Sequence, residues 1–302
     1  MGSRATLDDL LTEQVNPASE GIDALCSEEI LRIINAEDRR VAEAVAAEIP
    51  KIALAVDAVV AALRTGGRLF YIGAGSSGRL GVLDAAECPP TFNVPPTMVQ
   101  GIIAGGERAL SRASEASEDD PVTGAADLAA RGFTPRDVLV GIAASGRTPY
   151  VLGAMAFARR EGARTIGISC TPESELSRAV EIPIMLLSGP EIVAGSTRMK
   201  AGTATKLVLN MLSTAAMIRL GHVYGNLMVN VQPKSAKLRD RAERIVSRAV
   251  GVARARAVEL LQAAGADVKI AILMGRLGIG REDAARRLNS AQGRLSEALG
   301  GG

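Results

Sequence analysis

The feature that most constrains the fold is a series of five short apolar runs, each separated from the next by a stretch long enough for a helix. The runs are rich in Val, Ile and Leu, and they cover residues 68–72, 97–103, 137–142, 164–169 and 182–187. Continuous apolar strands of this length are typical of a parallel sheet that is buried on both faces. The pattern predicts an α/β fold with a doubly wound, five-stranded parallel sheet.

Helical patterns flank this series on both sides. Residues 27–64 carry apolar side chains at helical spacing after a start at Ser27, and Gly66-Gly67 ends the pattern. A long helix is predicted from about Met199 to Leu220, ahead of an irregular joint at 226–233. The tail beyond the joint is rich in Arg and Ala, and its pattern predicts about three short helices.

The chain is therefore expected to have three parts. We predict an N-terminal helical segment that packs on the core, a sheet domain and a small C-terminal helical subdomain, at residues 1–65, 66–233 and 234–302. A length of 302 residues accommodates this division, and 47% hydrophobic residues supply a normal core.

Composition excludes several kinds of partner. The chain has 35 Lys and Arg residues against 33 Asp and Glu, so a net charge of +2 gives no positive field for a polyanion. Aromatic residues make up 2% of the chain, too few for the stacking platforms of single-stranded nucleic-acid binders. We therefore expect no nucleic-acid partner. His222 is the single histidine, which disfavours a histidine triad or zinc site and suits a helix cap after Gly221.

Cysteine usage and the N-terminus indicate a location. Cys26, Cys88 and Cys170 match neither a disulfide framework nor a metal-binding CxxC pair, so a reducing compartment suits them, and the last two are expected to pack rather than react. Residues Met1–Asp9 carry acids where a secretory signal has a basic and then an apolar stretch. No apolar run reaches the roughly 20 residues that a membrane helix needs. We expect a soluble, cytoplasmic protein without a membrane partner.

The turn after the first predicted strand contains Gly73, Gly75 and Gly78 at the spacing GxGxxG. A dinucleotide-binding fold also needs an acid at the end of the second strand, and the corresponding strand ends without one. Ser76 and Ser77 at a helix N-terminus instead suit a small phosphomonoester, which accepts hydrogen bonds from hydroxyls and backbone amides. A tight turn with a capping serine is the alternative.

Two further hydroxyl-rich turns follow later strands. Ser145, Gly146 and Thr148 come after the third apolar run, and Ser196 with Thr197 come after the fifth. Parallel strands bring such turns to the carboxyl edge of one sheet, where ligands bind in open α/β folds. The three turns together predict a phosphorylated polar ligand.

With a single histidine, proton transfer would fall to carboxylates or other groups whose pKa is tuned by their surroundings. Glu87 precedes Pro89, which is expected to end its helix, so the negative end of the helix dipole would favour the protonated acid. An acidic cluster at residues 115–120, formed by Glu115, Glu118, Asp119 and Asp120, follows the second strand. Solvated loop or helix-start acids are the alternative interpretation of both features.

Several long motifs stand out along the chain. They are Ile72-Gly-Ala-Gly-Ser-Ser-Gly-Arg-Leu-Gly81, Asp84-Ala-Ala-Glu-Cys-Pro-Pro-Thr91, Gly141-Ile-Ala-Ala-Ser-Gly-Arg-Thr-Pro-Tyr150, Gly195-Ser-Thr-Arg-Met-Lys-Ala-Gly-Thr203, Lys206-Leu-Val-Leu-Asn-Met-Leu-Ser-Thr214 and Gly225-Asn-Leu-Met-Val229. These motifs closely resemble those of the N-acetylmuramic acid 6-phosphate etherase family. The resemblance covers nearly the whole chain and is looser beyond about residue 250.

The resemblance implies a sugar isomerase (SIS) domain, a homodimer and a lyase of bacterial cell-wall recycling that uses no cofactor and no metal. The family cleaves the D-lactyl ether of N-acetylmuramic acid 6-phosphate to give N-acetylglucosamine 6-phosphate and D-lactate. Its two active-site glutamates correspond to Glu87, the proton donor, and Glu118. We expect Glu118 to remove the proton at C2 and Glu87 to protonate the departing lactate, which requires two carboxylates in opposite protonation states.

On this interpretation, residues of the three turns hold the phosphate and the sugar hydroxyls, and Lys237 is a candidate for ring opening or charge stabilisation. The turn residues are Ser76, Ser77, Ser145, Gly146, Thr148 and Ser196. In a straight helix, however, Ser77 and Glu87 lie roughly 15 Å apart. Either the helix breaks early, or Glu87 serves a site at the subunit interface that the second subunit helps to build, which we favour.

Two other functions share part of this pattern. The first is a non-catalytic sensor of phosphosugars, as in the regulatory protein of glucokinase, although both glutamates stand at the motif positions here. The second is an aldose–ketose isomerase, which would use the phosphate-binding turns and a C2 base but needs no acid for a leaving lactate.

Overall fold

The computed structural model describes residues 10–112, 117–233 and 235–300. Glu115 of the predicted acidic cluster and the N-terminal stretch 1–9 lie outside these residues. The chain forms two compact units. The first unit contains the described residues up to Ala86 together with Pro96–Ser213, and the second contains Glu87–Pro95 together with the described residues from Thr214 onward. The three-part division predicted at residues 65 and 233 stays a prediction.

The first unit is built around a five-stranded parallel sheet, as the sequence predicts. Every predicted strand is confirmed with ends shifted by at most two residues: β1 Leu69–Gly73, β2 Val99–Ile103, β3 Val138–Ile142, β4 Arg164–Ser169 and β5 Ile182–Met185. The strands follow the order β2-β1-β3-β4-β5 in the sheet, and β1 pairs in parallel with both β2 and β3.

Helices precede, connect and follow these strands. The predicted N-terminal helical region is confirmed as two helices, and Pro50 in the first turn of the second explains the break, since proline is tolerated there and not in a helix interior. The helices of the first part of the chain are α1 Ser27–Ala47, α2 Ile49–Arg64, α3 Gly75–Phe92, α4 Pro121–Ala130, α5 Pro149–Arg160, α6 Glu175–Ala179 and α7 Lys200–Arg219.

Burial of the central strands explains their apolar sequences. Every residue of β1 and β3 is buried, because helices cover both faces of a parallel sheet. On one face, α4 and α5 approach each other at two glycines. A Cβ on Gly124 would lie 1.9 Å from the carbonyl oxygen of Tyr150, and one on Gly153 would lie 1.9 Å from that of Pro121. Glycine is therefore required at both positions of this helix pair.

The described residues of the tail, from 235 onward, contain five helices, more than the three or so predicted. They are α8 Ala236–Val250, α9 Arg254–Ala263, α10 Val268–Leu277, α11 Arg281–Ser290 and α12 Leu295–Ala298. Gly251, Gly265 and Gly278 adopt left-handed backbone angles after α8, α9 and α10, and such glycines commonly end helices. These stops divide the Arg- and Ala-rich tail into separate short helices, two more than the sequence predicts.

Other local expectations are also met. Cys88 and Cys170 are buried, which confirms that they pack. The backbone N–H of His222 donates to the carbonyl of Met217 at 3.0 Å just after Gly221, so the residue closes a helix end as predicted. Burial lowers the pKa of His222 to about 4. Among the described residues, no helix is long and apolar enough to cross a membrane.

Candidate functional site

Two of the hydroxyl-rich turns leave neighbouring strands at the carboxyl edge of the sheet. Gly73, the last residue of β1, lies opposite Ile142, the last residue of β3. The chain continues from β1 to β2 on one side, whereas β3 lies on the other side, so the winding direction reverses between these strands. Ligands bind at such a switch point in open α/β sheets. The candidate site therefore lies at this edge of the first unit.

The turn after β1 uses its glycines for close packing. A Cβ on Gly73 would lie 2.7 Å from the backbone nitrogen of Gly78, and one on Gly78 would lie 2.6 Å from the carbonyl oxygen of Gly73. Gly75 opens α3 with a φ of +53°. Ser76 and Ser77 follow in the first helical turn and are both half-buried. The GxGxxG spacing thus serves the strand-to-helix connection, and two hydroxyls stand at the positive end of the helix dipole.

The turn after β3 also depends on a glycine. Gly146 has a φ of +67°, and a Cβ there would lie 2.2 Å from the Oγ of Ser174. The Oγ of Ser145 accepts a hydrogen bond from the backbone N–H of Arg147 at 3.3 Å. Thr148 occupies the N-cap position of α5 but makes no side-chain capping hydrogen bond. The Thr148 hydroxyl at this positive helix end therefore suits an anion such as a phosphate.

Glu118 is held close to this second turn. It is half-buried, and its carbonyl oxygen accepts a hydrogen bond from the backbone N–H of Tyr150 at 3.0 Å, two residues after Thr148. Two residues after Glu118, Asp120 caps α4 by accepting a hydrogen bond from the N–H of Val122 at 2.9 Å. The sequence placed Glu118 in an acidic cluster, and the structure brings its backbone to the start of α5.

The start of α7 has a different arrangement from the one expected there. Buried Glu191 accepts hydrogen bonds from the backbone N–H groups of Lys200 and Ala201, both at 2.9 Å. Ser196 and Thr197 precede the helix, as predicted, but a carboxylate occupies its first amides. This helix end is consequently not open to a phosphate, and a role for Ser196 in substrate binding stays a prediction.

Helix α3 continues past the point where the sequence analysis ended it. It runs to Phe92 and includes Pro89 and Pro90, so the expectation that Pro89 cuts it off was wrong. Proline lacks an amide donor but keeps helical φ, and the amide of Asn93 still bonds the carbonyl of Pro89 at 2.9 Å. Exposed Glu87 lies before the last turn, outside the short reach of the helix-end dipole. The dipole argument for a protonated Glu87 loses its basis, and an early break of α3 is excluded.

Lys237 lies in the second unit. It is exposed in the first turn of α8. Its suggested contribution to the site stays a prediction, as does that of Glu87.

A buried polar cluster that sequence reasoning missed fixes α3 in the first unit. Asp84 accepts hydrogen bonds from the hydroxyl of Tyr71 at 2.9 Å, from the amide of Asn210 at 2.8 Å and from the hydroxyl of Ser213 at 3.1 Å. Burial raises the pKa of Asp84, and the surrounding donors offset this in part. The cluster joins β1, α3 and α7, and it holds the helix that carries Ser76.

Comparisons with known proteins match this fold. Residues 51–159 match the glucokinase regulatory protein N-terminal SIS domain, and residues 126–215 match the SIS domain. The N-acetylmuramic acid 6-phosphate etherase of Trichormus variabilis is 54% identical, over 96% of this chain and 94% of that protein. The one from Pectobacterium atrosepticum is 52% identical, over 100% and 99%. The chain belongs to the N-acetylmuramic acid 6-phosphate etherase family.

A solved structure supports the fold separately. A phosphoheptose isomerase from Francisella tularensis superposes with a TM-score of 0.51 at 22% identity, and the match covers 64% of this chain and 100% of that one. At this identity the likeness shows a shared fold. The etherase relatives, in contrast, match over nearly their whole length.

Sequence reasoning and structure agree best on the turns. Ser76, Ser77, Ser145, Gly146 and Thr148 all lie at the carboxyl edge of neighbouring strands, as the parallel sheet requires. The polar cluster around Asp84 had only a weak signal, an acid within the second family motif. Its partners lie 13 to 129 residues away in the chain, so no local pattern announces them.

Proposed function

We propose that this chain cleaves the D-lactyl ether of N-acetylmuramic acid 6-phosphate, releasing D-lactate and leaving N-acetylglucosamine 6-phosphate. The observation that carries the proposal is the 54% identity, over 96% of the chain, to the N-acetylmuramic acid 6-phosphate etherase of Trichormus variabilis. The activity makes the chain a carbon–oxygen lyase of amino-sugar catabolism. We place it in peptidoglycan recycling, as a cytoplasmic homodimer.

The turns at the carboxyl edge bind the sugar phosphate in this proposal. Thr148 and Ser145 take the phosphate at the start of α5, since the N-cap hydroxyl makes no capping bond and the helix dipole favours an anion. Gly146 keeps the turn in the shape that exposes these donors. Ser76 and Ser77 take sugar hydroxyls from the neighbouring turn, and Ser196 and Lys237 are assigned supporting contacts.

Elimination then proceeds on the open-chain aldehyde, in which the C2 proton is acidic because it lies next to a carbonyl. The Glu118 carboxylate removes this proton, the C2–H electrons form the C2=C3 double bond, and the C3–O bond breaks. The departing lactate oxygen takes the proton of Glu87. The Glu87 carboxylate next deprotonates a water that adds at C3, and Glu118 returns a proton to C2. Each glutamate thus ends in the protonation state in which it began.

Incubation with N-acetylmuramic acid 6-phosphate and an enzymatic assay for D-lactate test the activity. Wild-type protein should release one D-lactate per N-acetylglucosamine 6-phosphate formed. Glu118→Gln and Glu87→Gln should each lower the rate about 10²- to 10⁴-fold, the usual contribution of a general acid or base. Glu43→Gln, an exposed glutamate of α1, is the matched control and should keep full activity. Wild-type protein that releases no D-lactate refutes the proposal.

Solvent deuterium separates the roles of the two glutamates. If Glu118 is the C2 base, Glu118→Gln should stop deuterium incorporation at C2 as well as lactate release. Glu87→Gln should still exchange the C2 proton while releasing little lactate, because the leaving group lacks its acid. The reverse pattern would exchange the two assignments.

We propose that Glu87 acts in a site completed by the second subunit. Its ten-residue separation from Ser77 in the continuous helix α3 corresponds to roughly 15 Å, too far for one small sugar phosphate to contact both. Mixed dimers of Glu87→Gln and Ser77→Ala subunits should regain part of the activity that each homodimer lacks. Dimers verified as mixed by native mass spectrometry that stay inactive would exclude the shared site.

A phosphosugar sensor is the second candidate, because residues 51–159 match the glucokinase regulatory protein domain. A sensor would bind N-acetylmuramic acid 6-phosphate without turning it over. An aldose–ketose isomerase would instead convert an aldose phosphate and release no lactate from the ether. The D-lactate assay therefore separates the etherase from both alternatives, and conversion of an aldose phosphate separates the isomerase from the sensor.

A further inference from the structure

A cationic cleft of about 310 Å³ opens beside the first turn of α3, in the first unit. One wall comes from α3 and the other from the start of α7 and the residues before it. Its lining includes Ser76, Arg79, Leu80, Arg198, Thr203 and Lys206. No acidic side chain of the described residues lines it. The cleft therefore has the chemistry of an anion site.

The spacing of the lining residues shows that the cleft lies along the sides of the helices. Ser76, Arg79 and Leu80 are three and four residues apart on α3, so they share one helical face. Thr203 and Lys206 are likewise three residues apart on α7. The cleft shares none of its lining residues with the turn before α5, which receives the phosphate in the proposed function.

Two of the cations are held in place without losing their charge. Arg79 donates to the carbonyl oxygens of Ala109 at 3.0 Å and Arg112 at 3.1 Å. Lys206 donates to the Oδ1 of Asn210 at 2.6 Å. These acceptors are neutral, so they orient the cations and leave the positive charge for a ligand. Exposed Arg198 forms no ion pair with a described residue.

We propose that this cleft binds the lactyl carboxylate of the substrate, with Arg198 and Lys206 as its charge partners and Ser76 as a hydroxyl donor. The inference rests on the proposed function, whose substrate carries two anionic groups, a phosphate and a carboxylate. The turn after β3 offers neutral donors and a helix end, which suit the phosphate. The cleft offers Arg198 beside Lys206, whose charge also acts on buried Asp84. A simple sugar phosphate has no carboxylate, so the cleft selects the etherase substrate.

Paired ligands test the proposal, since the substrate has the carboxylate and the product N-acetylglucosamine 6-phosphate does not. Arg198→Gln should raise the KM for the substrate about tenfold or more, the loss of one charge-assisted contact, with the inhibition constant of the product unchanged within about twofold. Lys206→Gln should act in the same direction, and Arg198→Lys should restore part of the affinity. Arg39→Gln, an exposed arginine of α1, is the matched control and should change neither constant.

A substrate analogue with a carboxamide in place of the carboxylate completes a double-mutant cycle, in which the ligand and Arg198 are changed separately and together. Wild-type protein should bind this analogue about tenfold less tightly than the substrate, and Arg198→Gln should not discriminate between the two. Equal losses for substrate and product would assign the cleft to the phosphate, and no loss for either would remove it from the site. Both results overturn the proposal.

These outcomes differ from failure of the proposed function itself. That function fails when wild-type protein releases no D-lactate. In this case, calorimetric titration of wild-type protein and Arg198→Gln with the same three ligands still measures whether the cleft distinguishes a carboxylate. No preference of wild-type protein for the carboxylate over the carboxamide would overturn the cleft assignment independently.

Discussion

Helices α1 and α3 each bury one carboxylate, and the two carboxylates have different kinds of partner. Glu37 on α1 is 5% exposed and Asp84 on α3 is 6% exposed. Glu37 bonds the ammonium group of Lys200, which is fully buried, at 2.5 Å. The hydrogen bonds that Asp84 accepts from Tyr71, Asn210 and Ser213 come from neutral donors. The two carboxylates are thus almost equally buried, but one is paired with a cation and the other with neutral hydrogen-bond donors.

The partners decide the direction of each pKa shift. Burial by itself raises the pKa of Glu37, but the hydrogen bonds from Lys200, Asn16 and Arg40 outweigh it and lower the pKa to about 2. At Asp84 burial dominates, and the pKa is raised despite three donors and the charge of Lys206. A buried carboxylate is stabilised in its ionised form by a cation at contact distance, and neutral donors compensate its burial less completely.

Both carboxylates hold segments that bear on the site. Asp84 fixes the helix that carries Ser76 and Ser77. Glu37 and Lys200 fix the start of α7, because Lys200 also donates to the carbonyl of Pro190 at 3.0 Å. The segment that includes Ser196 runs between Pro190 and Lys200. Substitution of either carboxylate should therefore lower the free energy of unfolding directly. It should change activity only by moving the segment that the carboxylate holds.

The largest effect is expected from Glu37→Gln, which leaves the Lys200 ammonium buried without an opposite charge. Removing one partner of a buried pair costs about 3–5 kcal/mol of the free energy of unfolding. Urea denaturation at neutral pH measures it. Glu28→Gln removes the partner of exposed Arg32 and serves as the control, with an expected loss below about 1 kcal/mol. Equal losses for the two variants would show that burial of the pair has no special weight.

Lower pH should remove most of the stability difference between wild-type protein and Glu37→Gln. At Asp84 the pH dependence should have the opposite sign. Because the pKa of folded Glu37 is below its ordinary value of 4.5, its stabilisation is complete above that pH and is lost as the pH falls toward 2. The pKa of Asp84 is raised from 3.8, so its favourable contribution is present below that pH and is lost as the pH rises through the raised value.

The measurement is urea denaturation at several values from about pH 6 to about pH 3. Wild-type protein should lose its advantage over Glu37→Gln as the pH falls. Over the same range it should gain relative to Asp84→Asn. Parallel trends in the two comparisons would contradict the opposite pKa directions.

A smaller loss is expected from Tyr71→Phe, which removes one neutral donor and keeps the ring. A hydrogen bond to a charged group contributes about 1.5–3 kcal/mol, so the unfolding free energy should fall by about that amount at neutral pH. Asp84 should also titrate at a higher pH, as seen by carboxyl NMR signals. An unchanged titration of Asp84 would show that the Tyr71 hydroxyl does not support the ionised form.

Asp84→Asn should have the smallest effect, about 1 kcal/mol or less at neutral pH. The substitution keeps an oxygen for Asn210 and Ser213, offers an amide to the Tyr71 oxygen and removes the cost of burying a charge. Thermal unfolding of this variant beside Glu37→Gln sharpens the comparison. A loss as large as that of Glu37→Gln would mean that Asp84 needs its charge as much as Glu37 does.

The strands and turns of this fold could be predicted because their signals are local. Val-, Ile- and Leu-rich runs such as 138–142 form strands buried on both faces, and the left-handed Gly146 marks a turn. The course of α3 past Pro89 could not be predicted, because proline usually ends a helix although its φ is compatible with one. Two of the five tail helices, α10 and α12, were also missed, because helices this short depend on packing more than on local propensity.

The sequence by itself determined the succession of strands and helices along the sheet domain, the positions of the hydroxyl-rich turns and the family. Apolar periodicity, glycine positions and long motifs are all written over a few neighbouring residues. Only the tertiary structure decided that Glu37 meets Lys200, 163 residues further along, and that Arg79, Arg198 and Lys206 line one cleft. Charged groups that are far apart in the chain interact strongly only when they are buried together or line the same cleft. Folding alone brings them to such positions.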